Sequence, residues 1–313
     1  MPVLGIICIL QKTNHILKNM SDLQNSLDKA IRDSEIKGDS SKYGYQIQEK
    51  TYVSYMSNIT WHSFLLRMSK LHKAQFNDGD GGELKKKKWR GDIYLPPKMA
   101  SYGSSSRMIY NLSKDIVGFE FEKHLPTRVG HTANLDGFYN GTDRDIYIEA
   151  KCREIYTSHT KIEINSVYKN VYDFIKRRHN LFDVVEPSNI EEVYKCTFKY
   201  GGTTIKHFDI KQLICHFLGI AANVLENDNY RPILFIYLIY NPNEVKDLMD
   251  NKKDEIISAY KDTLDEIERF GNFDWLFDDV IRFQEENLGL RRKENLEFEL
   301  ILADQSGYKK LIK

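Results

Sequence analysis

A run of apolar residues in the second half of the chain sets the strongest limit on its fold. The segment RPILFIYLIYNP, residues 231–242, is almost continuously apolar between Pro232 and Pro242. A short apolar run bounded by prolines is typical of a strand that is covered on both faces, as in α/β proteins. The segment therefore predicts a buried strand inside an α/β fold.

A helix is predicted immediately before this strand. In HFDIKQLICHFLGIAANVLEN, residues 207–227, the apolar side chains recur at three- and four-residue spacing. Asp209 stands near the start, where its carboxylate can accept a hydrogen bond from a free backbone N–H and cap the helix. Gln212 and His216 lie four residues apart and therefore share one face of the helix.

Three segments upstream of this helix have the two-residue period of strands. GFEFEKHLP (118–126) and ANLDGFYN (133–140) are separated by the turn TRVGH, and a second turn, GTDRD, leads into IYIEAKCRE (146–154). Short turns between such segments predict three antiparallel strands in a meander. A helix that starts near Gly103, with serines as caps, is expected before the first strand.

The remaining segments surround this core. We expect helices over residues 13–37 and 51–74, a loop over 76–92, and a helix near 167–181. The resulting divisions of the chain are an N-terminal helical region with a basic loop (1–103), a core (104–242) with an insertion at 155–205, and an acidic helical region packed on the core (243–313).

The overall charge does not indicate a large nucleic-acid footprint. Lys and Arg balance Asp and Glu at 45 each, whereas a strongly basic domain is the usual signature of nucleic-acid binding. The balance is uneven along the chain. Residues 241–313 contain 12 basic and 18 acidic side chains, a net charge of −6, which leaves +6 on residues 1–240 of this neutral chain. A polyanion would therefore prefer the earlier part.

Cysteine spacing and the first residues indicate the compartment. Cys8, Cys152, Cys196 and Cys215 form no CxxC pair, so we expect neither a zinc site nor a disulfide framework, and we expect reduced thiols. The opening MPVLGIICIL is about half as long as the ~20 apolar residues of a spanning helix, and it lacks the features of a signal peptide. We therefore expect a cytoplasmic protein that does not enter the membrane.

Two of the predicted strands carry acidic side chains that can share a cation. Glu149 and Lys151 point to one face of their strand, and Asp136 lies on the preceding strand, one short turn away. Mg²⁺ binds one or two hard oxygen ligands and keeps several waters, so Asp136, Glu149 and the backbone carbonyl of Ala150 would suffice for one ion. Lys151 would then orient or deprotonate a water, or stabilise charge on a phosphate.

Two other interpretations fit the same residues. Cross-strand acid–base pairs stabilise ordinary sheets by about 0.2–1 kcal/mol, so the pattern also arises in a half-solvated strand. A pair of carboxylates can also hydrolyse glycosides, but that chemistry requires one protonated acid. A lysine beside the pair favours ionisation of both.

The order of these elements resembles the PD-(D/E)xK nuclease superfamily, in particular its bacterial restriction-endonuclease-like proteins. The likeness rests, in chain order, on Asn134-Leu135-Asp136, Glu149-Ala150-Lys151, Gln212-Leu213 with His216 and Gly219, and Leu234 to Pro242. The resemblance implies a three-layer α/β sandwich with a mixed central sheet, extended by helices at both ends. It also implies that Asp136 and Glu149 bind Mg²⁺, for which Mn²⁺ can substitute, and that Lys151 is the catalytic lysine.

Other residues are candidates to assist this site. Gln212 and Glu122 would support the site or contact phosphate. The basic residues that would contact the DNA backbone are Lys85, Lys86, Lys87, Lys88, Arg128, His131 and Arg153. Charges of this kind are also typical of an ordinary solvated surface.

These observations lead to two functional hypotheses. The first is a metal-dependent endonuclease that hydrolyses DNA phosphodiester bonds in restriction or defence, working as a homodimer because two strands need two sites. The alternative is a catalytically inactive nuclease-like module that binds nucleic acid or protein, which the neutral overall charge favours.

Overall fold

The computed structural model shows an α/β protein. It describes residues 27–28, 31, 44–48, 51–78, 83–90, 93–153, 162–179, 182–187, 193–200, 202–227, 231–242, 253–269, 274–291 and 296–312. Of the helix predicted over residues 13–37, the described residues 27, 28 and 31 are helical, and the rest lies outside these ranges.

Thirteen strands and eight helices lie in this described part of the chain. The strands are β1 (Gly44–Gln48), β2 (Thr51–Ser54), β3 (Lys87–Arg90), β4 (Ile93–Leu95), β5 (Phe119–Pro126), β6 (Thr132–Asn140), β7 (Asp145–Lys151), β8 (Ile162–Asn165), β9 (Phe182–Pro187), β10 (Val193–Tyr200), β11 (Thr203–Thr204), β12 (Ile233–Ile239) and β13 (Phe298–Ala303). The helices are α1 (Asn58–Arg67), α2 (Lys70–Asp78), α3 (Ser105–Ser113), α4 (Lys169–His179), α5 (Ile210–Glu226), α6 (Lys253–Arg269), α7 (Asp274–Leu288) and α8 (Gln305–Leu311).

A mixed sheet of five strands forms the centre of the protein, in the order β13-β12-β7-β6-β5. Strands β5, β6 and β7 form the antiparallel meander predicted from the sequence. Strand β12 runs parallel to β7 on one side and to β13 on the other. The prediction of an α/β protein with a mixed central sheet is therefore confirmed.

Helices pack against this sheet in an arrangement compatible with a three-layer sandwich. Helix α5 lies against β5 and β6 and carries α7, whereas α3 contacts β6 and β7, and α8 contacts β12 and β13. Asn223 of α5 donates to the hydroxyl of Tyr147 on β7 at 3.4 Å. The ring of Tyr110 on α3 packs against Phe121 on β5, with centroids 5.5 Å apart.

The helix starts predicted from the sequence are confirmed by their caps. Helix α5 begins at Ile210 because the Asp209 carboxylate accepts a hydrogen bond from the backbone N–H of Gln212 at 3.0 Å. Helix α3 begins after Ser104, whose hydroxyl accepts from the backbone N–H of Arg107 at 3.2 Å. Both caps fix which side chains the first helical turn presents to the sheet.

Strands β7 and β12 differ in burial at one residue only, Asp145, which is partly exposed. Every residue of β12 is buried, as predicted. In β7 all residues after Asp145 are buried as well, and Glu149 and Lys151 are only 3% and 8% exposed. The cause is the position of β7 between β6 and β12, beneath α5. A half-solvated strand is therefore excluded, and the two charges must be stabilised inside the protein.

Three segments differ from the predictions made from the sequence. Residues 51–74 begin with strand β2, whose Thr, Tyr and Val favour a strand, and Ser57 then caps a new helix, α1. The predicted loop at 76–92 contains the end of α2 and strand β3, which pairs with β4. The insertion at 155–205 contains the expected helix, α4, but also an antiparallel sheet of β8 to β11.

The C-terminal region is not only helical. Residues 298–303 form β13, an edge strand parallel to β12, and α8 follows from the cap Asp304. A run of six residues, five of them apolar, gives too little periodicity to separate a strand from a helix. The central sheet therefore includes residues beyond 242, where the predicted core ends.

The helices and cysteines of the described residues bear on the expected absence of a membrane span and on the expected reduced thiols. Among their helices none is both long enough and apolar enough to cross a membrane. Cys152, Cys196 and Cys215 are free thiols, and burial raises the pKa of Cys196 to about 12. Cys8 lies outside the described residues.

Gly219 holds α5 close to the β5–β6 hairpin, and we expect alanine there to destabilise the protein. An added Cβ would lie 2.6 Å from the Cβ of Ala133 and 2.9 Å from that of Leu125. We expect Gly219→Ala to lower the free energy of unfolding by about 1–3 kcal/mol in urea titrations, because overpacking outweighs the gain in helix propensity. Gly307→Ala in α8, where the nearest atom is a side-chain oxygen at 3.3 Å, is the control. Equal stability of both variants would contradict close packing at Gly219.

Candidate active site

The candidate site lies where strands β6 and β7 separate. Their backbone pairing ends at Gly137 and Ile148. One residue further along, the side chain of Asp136 takes over the role of the missing backbone partner, because its Oδ2 accepts a hydrogen bond from the N–H of Ala150 at 2.7 Å. The gap between the two strands therefore carries a carboxylate fixed to the backbone.

Glu149 and Lys151 form a buried ion pair beside this gap. Lys151 Nζ lies 2.7 Å from Glu149 Oε1, and it also donates a hydrogen bond to the side-chain oxygen of Gln212. Nε2 of His216 lies 2.9 Å from Glu149 Oε2, at ion-pair distance but without the angles of a hydrogen bond. The helical face predicted to carry Gln212 and His216 is thus the face that meets the two charges.

The two acids of the site have pKa values shifted in opposite directions. Burial raises the pKa of Asp136 well above its usual range, and the charges of Glu149 and Glu122 raise it further. Burial alone would also raise the pKa of Glu149, but the charges of Lys151 and His216 outweigh it and lower this pKa to about 2. Asp136 is therefore the acid that lacks a compensating cation of similar strength.

A cavity of about 410 Å³ opens onto these side chains. Its lining joins the predicted residues to the N-terminal part of the chain and consists of Tyr55, Glu83, Lys98, Ser101, Ser104, Ser105, Ser106, Glu122, Asn134, Asp136, Glu149, Lys151 and Gln212. Glu122 has a backbone φ of 54°. This left-handed conformation is uncommon for residues other than glycine, and it interrupts the regular strand at the cavity.

Sequence reasoning missed Glu83 and Lys98 as residues of this cavity. Glu83 is 6% exposed, and Lys98 Nζ donates to its Oε1 at 2.9 Å. Glu83 Oε2 has no hydrogen-bond partner among the described residues. The only sequence signal is an acid next to the lysine run, which is also typical of an exposed loop, so the pattern could not have identified the pair.

The residues around Asp136 suit a hard divalent cation. Within the part of the chain that the structure describes, no three His, Cys, Asp or Glu side chains form a complete metal cluster. Mg²⁺ needs fewer protein ligands, because it keeps several waters. The N–H of Ala150 faces Asp136, and its carbonyl faces the same way because both groups of one strand residue point to the same neighbour. A cation at Asp136 and Glu149 would offset the buried negative charge.

The basic candidates for DNA contact lie outside this cavity. Lys85 and Lys86 are exposed, and the side chains of Lys87 and Lys88 lie outside the described residues. Arg128 pairs with Glu226 at 2.5 Å. Arg153 follows the end of β7 and pairs with Asp28 at 3.2 Å. Its interior ion pair makes it a link to the N-terminal helix rather than an exposed charge.

Comparisons with known proteins give no independent support for any function. The chain matches no family model, no curated protein and no solved structure. The assignment of a function therefore rests on the residues and geometry of the site itself.

Proposed function

We propose that this protein is a metal-dependent nuclease that hydrolyses phosphodiester bonds in DNA. The observation that carries this proposal is the convergence of Asp136, Glu149 and Lys151 on one cavity at the point where β6 and β7 separate. Two carboxylates, a backbone carbonyl and a lysine are the groups that metal-assisted phosphate hydrolysis needs. The proposal also places the protein in the cytoplasm. It further makes the protein a homodimer, with one cavity for each DNA strand.

We also propose that the central sheet has the restriction-endonuclease-like fold. The order α3, β5, β6, β7, α5 and β12 supports this. It places an aspartate strand, an E-x-K strand, an amphipathic helix and a buried strand in the order found in the PD-(D/E)xK superfamily. The position of Gln212 against Lys151 is a further point in favour.

Each residue has a distinct part in the proposed reaction. Asp136, Glu149 and the carbonyl of Ala150 would hold Mg²⁺, which when bound would activate a water and offset charge on the phosphate. Glu149 and Gln212 hold the Lys151 ammonium group at the cavity, where it would orient that water or stabilise the transition state. His216 Nε2 lies 2.9 Å from the far oxygen of Glu149, where it would help to position the carboxylate.

Cleavage and metal binding test this proposal together. We expect the wild-type protein to nick supercoiled plasmid with Mg²⁺ or Mn²⁺ and not with EDTA. In calorimetric titrations with Mn²⁺, Asp136→Ala should abolish the binding heat, because the carboxylate anchored at Ala150 is lost. Asp143→Ala removes an exposed acid of the β6–β7 turn and serves as the control. Nicking in EDTA, or unchanged Mn²⁺ binding by Asp136→Ala, would refute the assignment.

One observation favours the alternative, a nuclease-like binding module without turnover. Both carboxylate oxygens of Glu149 are already engaged by positive or polar groups, Lys151 and His216. A cation must therefore compete with Lys151 for this acid. If the wild-type protein binds DNA with unchanged affinity in EDTA and never cleaves it, the binding module is the better description.

A further inference from the structure

A second cavity lies next to the candidate active site. It has a volume of about 340 Å³ and is lined by His131, Tyr168, Tyr172, Asp209, Lys211, Gln212 and Cys215. Gln212 also lines the first cavity, where its side-chain oxygen accepts a hydrogen bond from Lys151. Gln212, which holds Lys151, is therefore the lining residue that the two cavities share.

Aromatic rings form the walls of the second cavity. The β5–β6 turn carries His131, and a short 3₁₀ turn before α4 carries Tyr168. Their ring centroids are 5.8 Å apart and the rings are inclined by 33°. His131 is exposed at the mouth, whereas Tyr168 and Tyr172 are buried. Flat walls of this kind suit a flat, weakly polar ligand, and nucleobases stack on tyrosine and histidine rings.

The rim of the cavity carries polar groups as well. Asp209 caps α5 by accepting from the backbone N–H of Gln212 at 3.0 Å. Lys211 donates to the carbonyl of Glu163 at 2.5 Å, which fixes its side chain beside the opening. Cys215 Sγ lies 3.5 Å from the hydroxyl of Tyr168 on the inner wall. Aromatic walls with a few fixed polar groups are the usual composition of a selective small-ligand pocket.

We propose that this cavity receives one unstacked nucleobase of the DNA strand that is cut, next to the scissile phosphate. This inference rests on the proposed nuclease function and adds a condition for the substrate. The DNA must be single-stranded at this position, or the base must flip out of the duplex, because a paired and stacked base cannot enter a pocket. The base then fixes the register of the strand at Lys151.

Binding of a single-stranded DNA oligonucleotide in EDTA tests the cavity without any cleavage. We expect His131→Ala and Tyr168→Leu each to weaken binding about 5- to 150-fold, the range of the ~1–3 kcal/mol that one stacked base contributes. His62→Ala replaces an exposed histidine of α1 and should leave binding unchanged. Tyr168 is buried, so the exposed His131 provides the variant that does not depend on core packing.

An abasic scan of the same oligonucleotide identifies the bound base. For the wild-type protein we expect one abasic position to weaken binding by a similar factor, and for Tyr168→Leu the same position should have no further effect. Equal affinity of wild type, His131→Ala and Tyr168→Leu would overturn the inference even if the protein cleaves DNA. If the variants lose binding as expected but the wild-type protein does not cleave DNA, the base pocket is supported and the proposed nuclease function is refuted.

Discussion

Replacing Lys151 with alanine is expected to reduce Mg²⁺-dependent plasmid nicking by about 10²–10⁴-fold, the range found when a group that acts on the reacting atoms is removed. The Lys151 ammonium group is fixed by Glu149 and Gln212, and it lines the cavity that Asp136 faces. Its loss would remove the cation that meets the phosphate or the attacking water. Rates of nicking under single-turnover conditions measure this directly.

Two further variants separate the role of this lysine from a general loss of charge. Lys151→Arg keeps the positive charge, but its planar guanidinium group cannot reproduce the compact ammonium contact, so we expect a loss nearly as large as with alanine. Lys261→Ala removes an exposed lysine of α6 and should cut at the wild-type rate. A nicking rate of Lys151→Ala within twofold of the wild-type rate would show that the lysine takes no part in the reaction.

The sequence predicted the elements that position the site because each has a strong local signal. The apolar run at 231–242, the cap Asp209 and the alternation of the meander all depend on neighbouring residues. The contacts between Lys151, Gln212 and Glu149 follow once these elements are in register. Local patterns therefore predicted the elements, whereas the choice of Asp136, Glu149 and Lys151 also rested on the resemblance to the nuclease superfamily.

The parts that could not be predicted depend on contacts that are distant in the sequence. Glu83 reaches the cavity from a region that reads as a loop, and β13 joins the sheet about 60 residues after β12 in the chain. Arg153, a candidate for DNA contact, lies two residues beyond the end of β7 and pairs with Asp28 instead. Neither periodicity nor spacing carries information about such partners. The sequence also did not predict the burial of Glu149, because this burial requires β12 and α5 to cover β7.

Asp136 and Glu149 should affect stability in opposite directions, although they are two acids of one cavity. Asp136 is partly buried beside Glu149 and Glu122, and its raised pKa means that its ionised form is unfavourable in the native state. Asparagine can still accept the hydrogen bond from Ala150 without a charge. We therefore expect Asp136→Asn to increase the free energy of unfolding at pH 7 in EDTA by about 1–3 kcal/mol, the cost of an uncompensated buried polar group.

Glu149→Gln should instead lower the free energy of unfolding by about 3–5 kcal/mol, because it leaves the Lys151 ammonium group inside the protein without its anion. The contributions of the two acids to stability should also change with pH in opposite directions. The pKa of Glu149 is lowered from 4.5 to about 2, so its contribution is complete above pH 4.5 and is lost as the pH falls towards 2. The pKa of Asp136 is raised above 3.8, so its contribution is present below pH 3.8 and is lost as the pH rises through the native pKa. Urea titrations of both variants, with the exposed Asp143→Asn as control, measure these changes, and a shift of the same sign for both acids would contradict the opposite charge environments of the site.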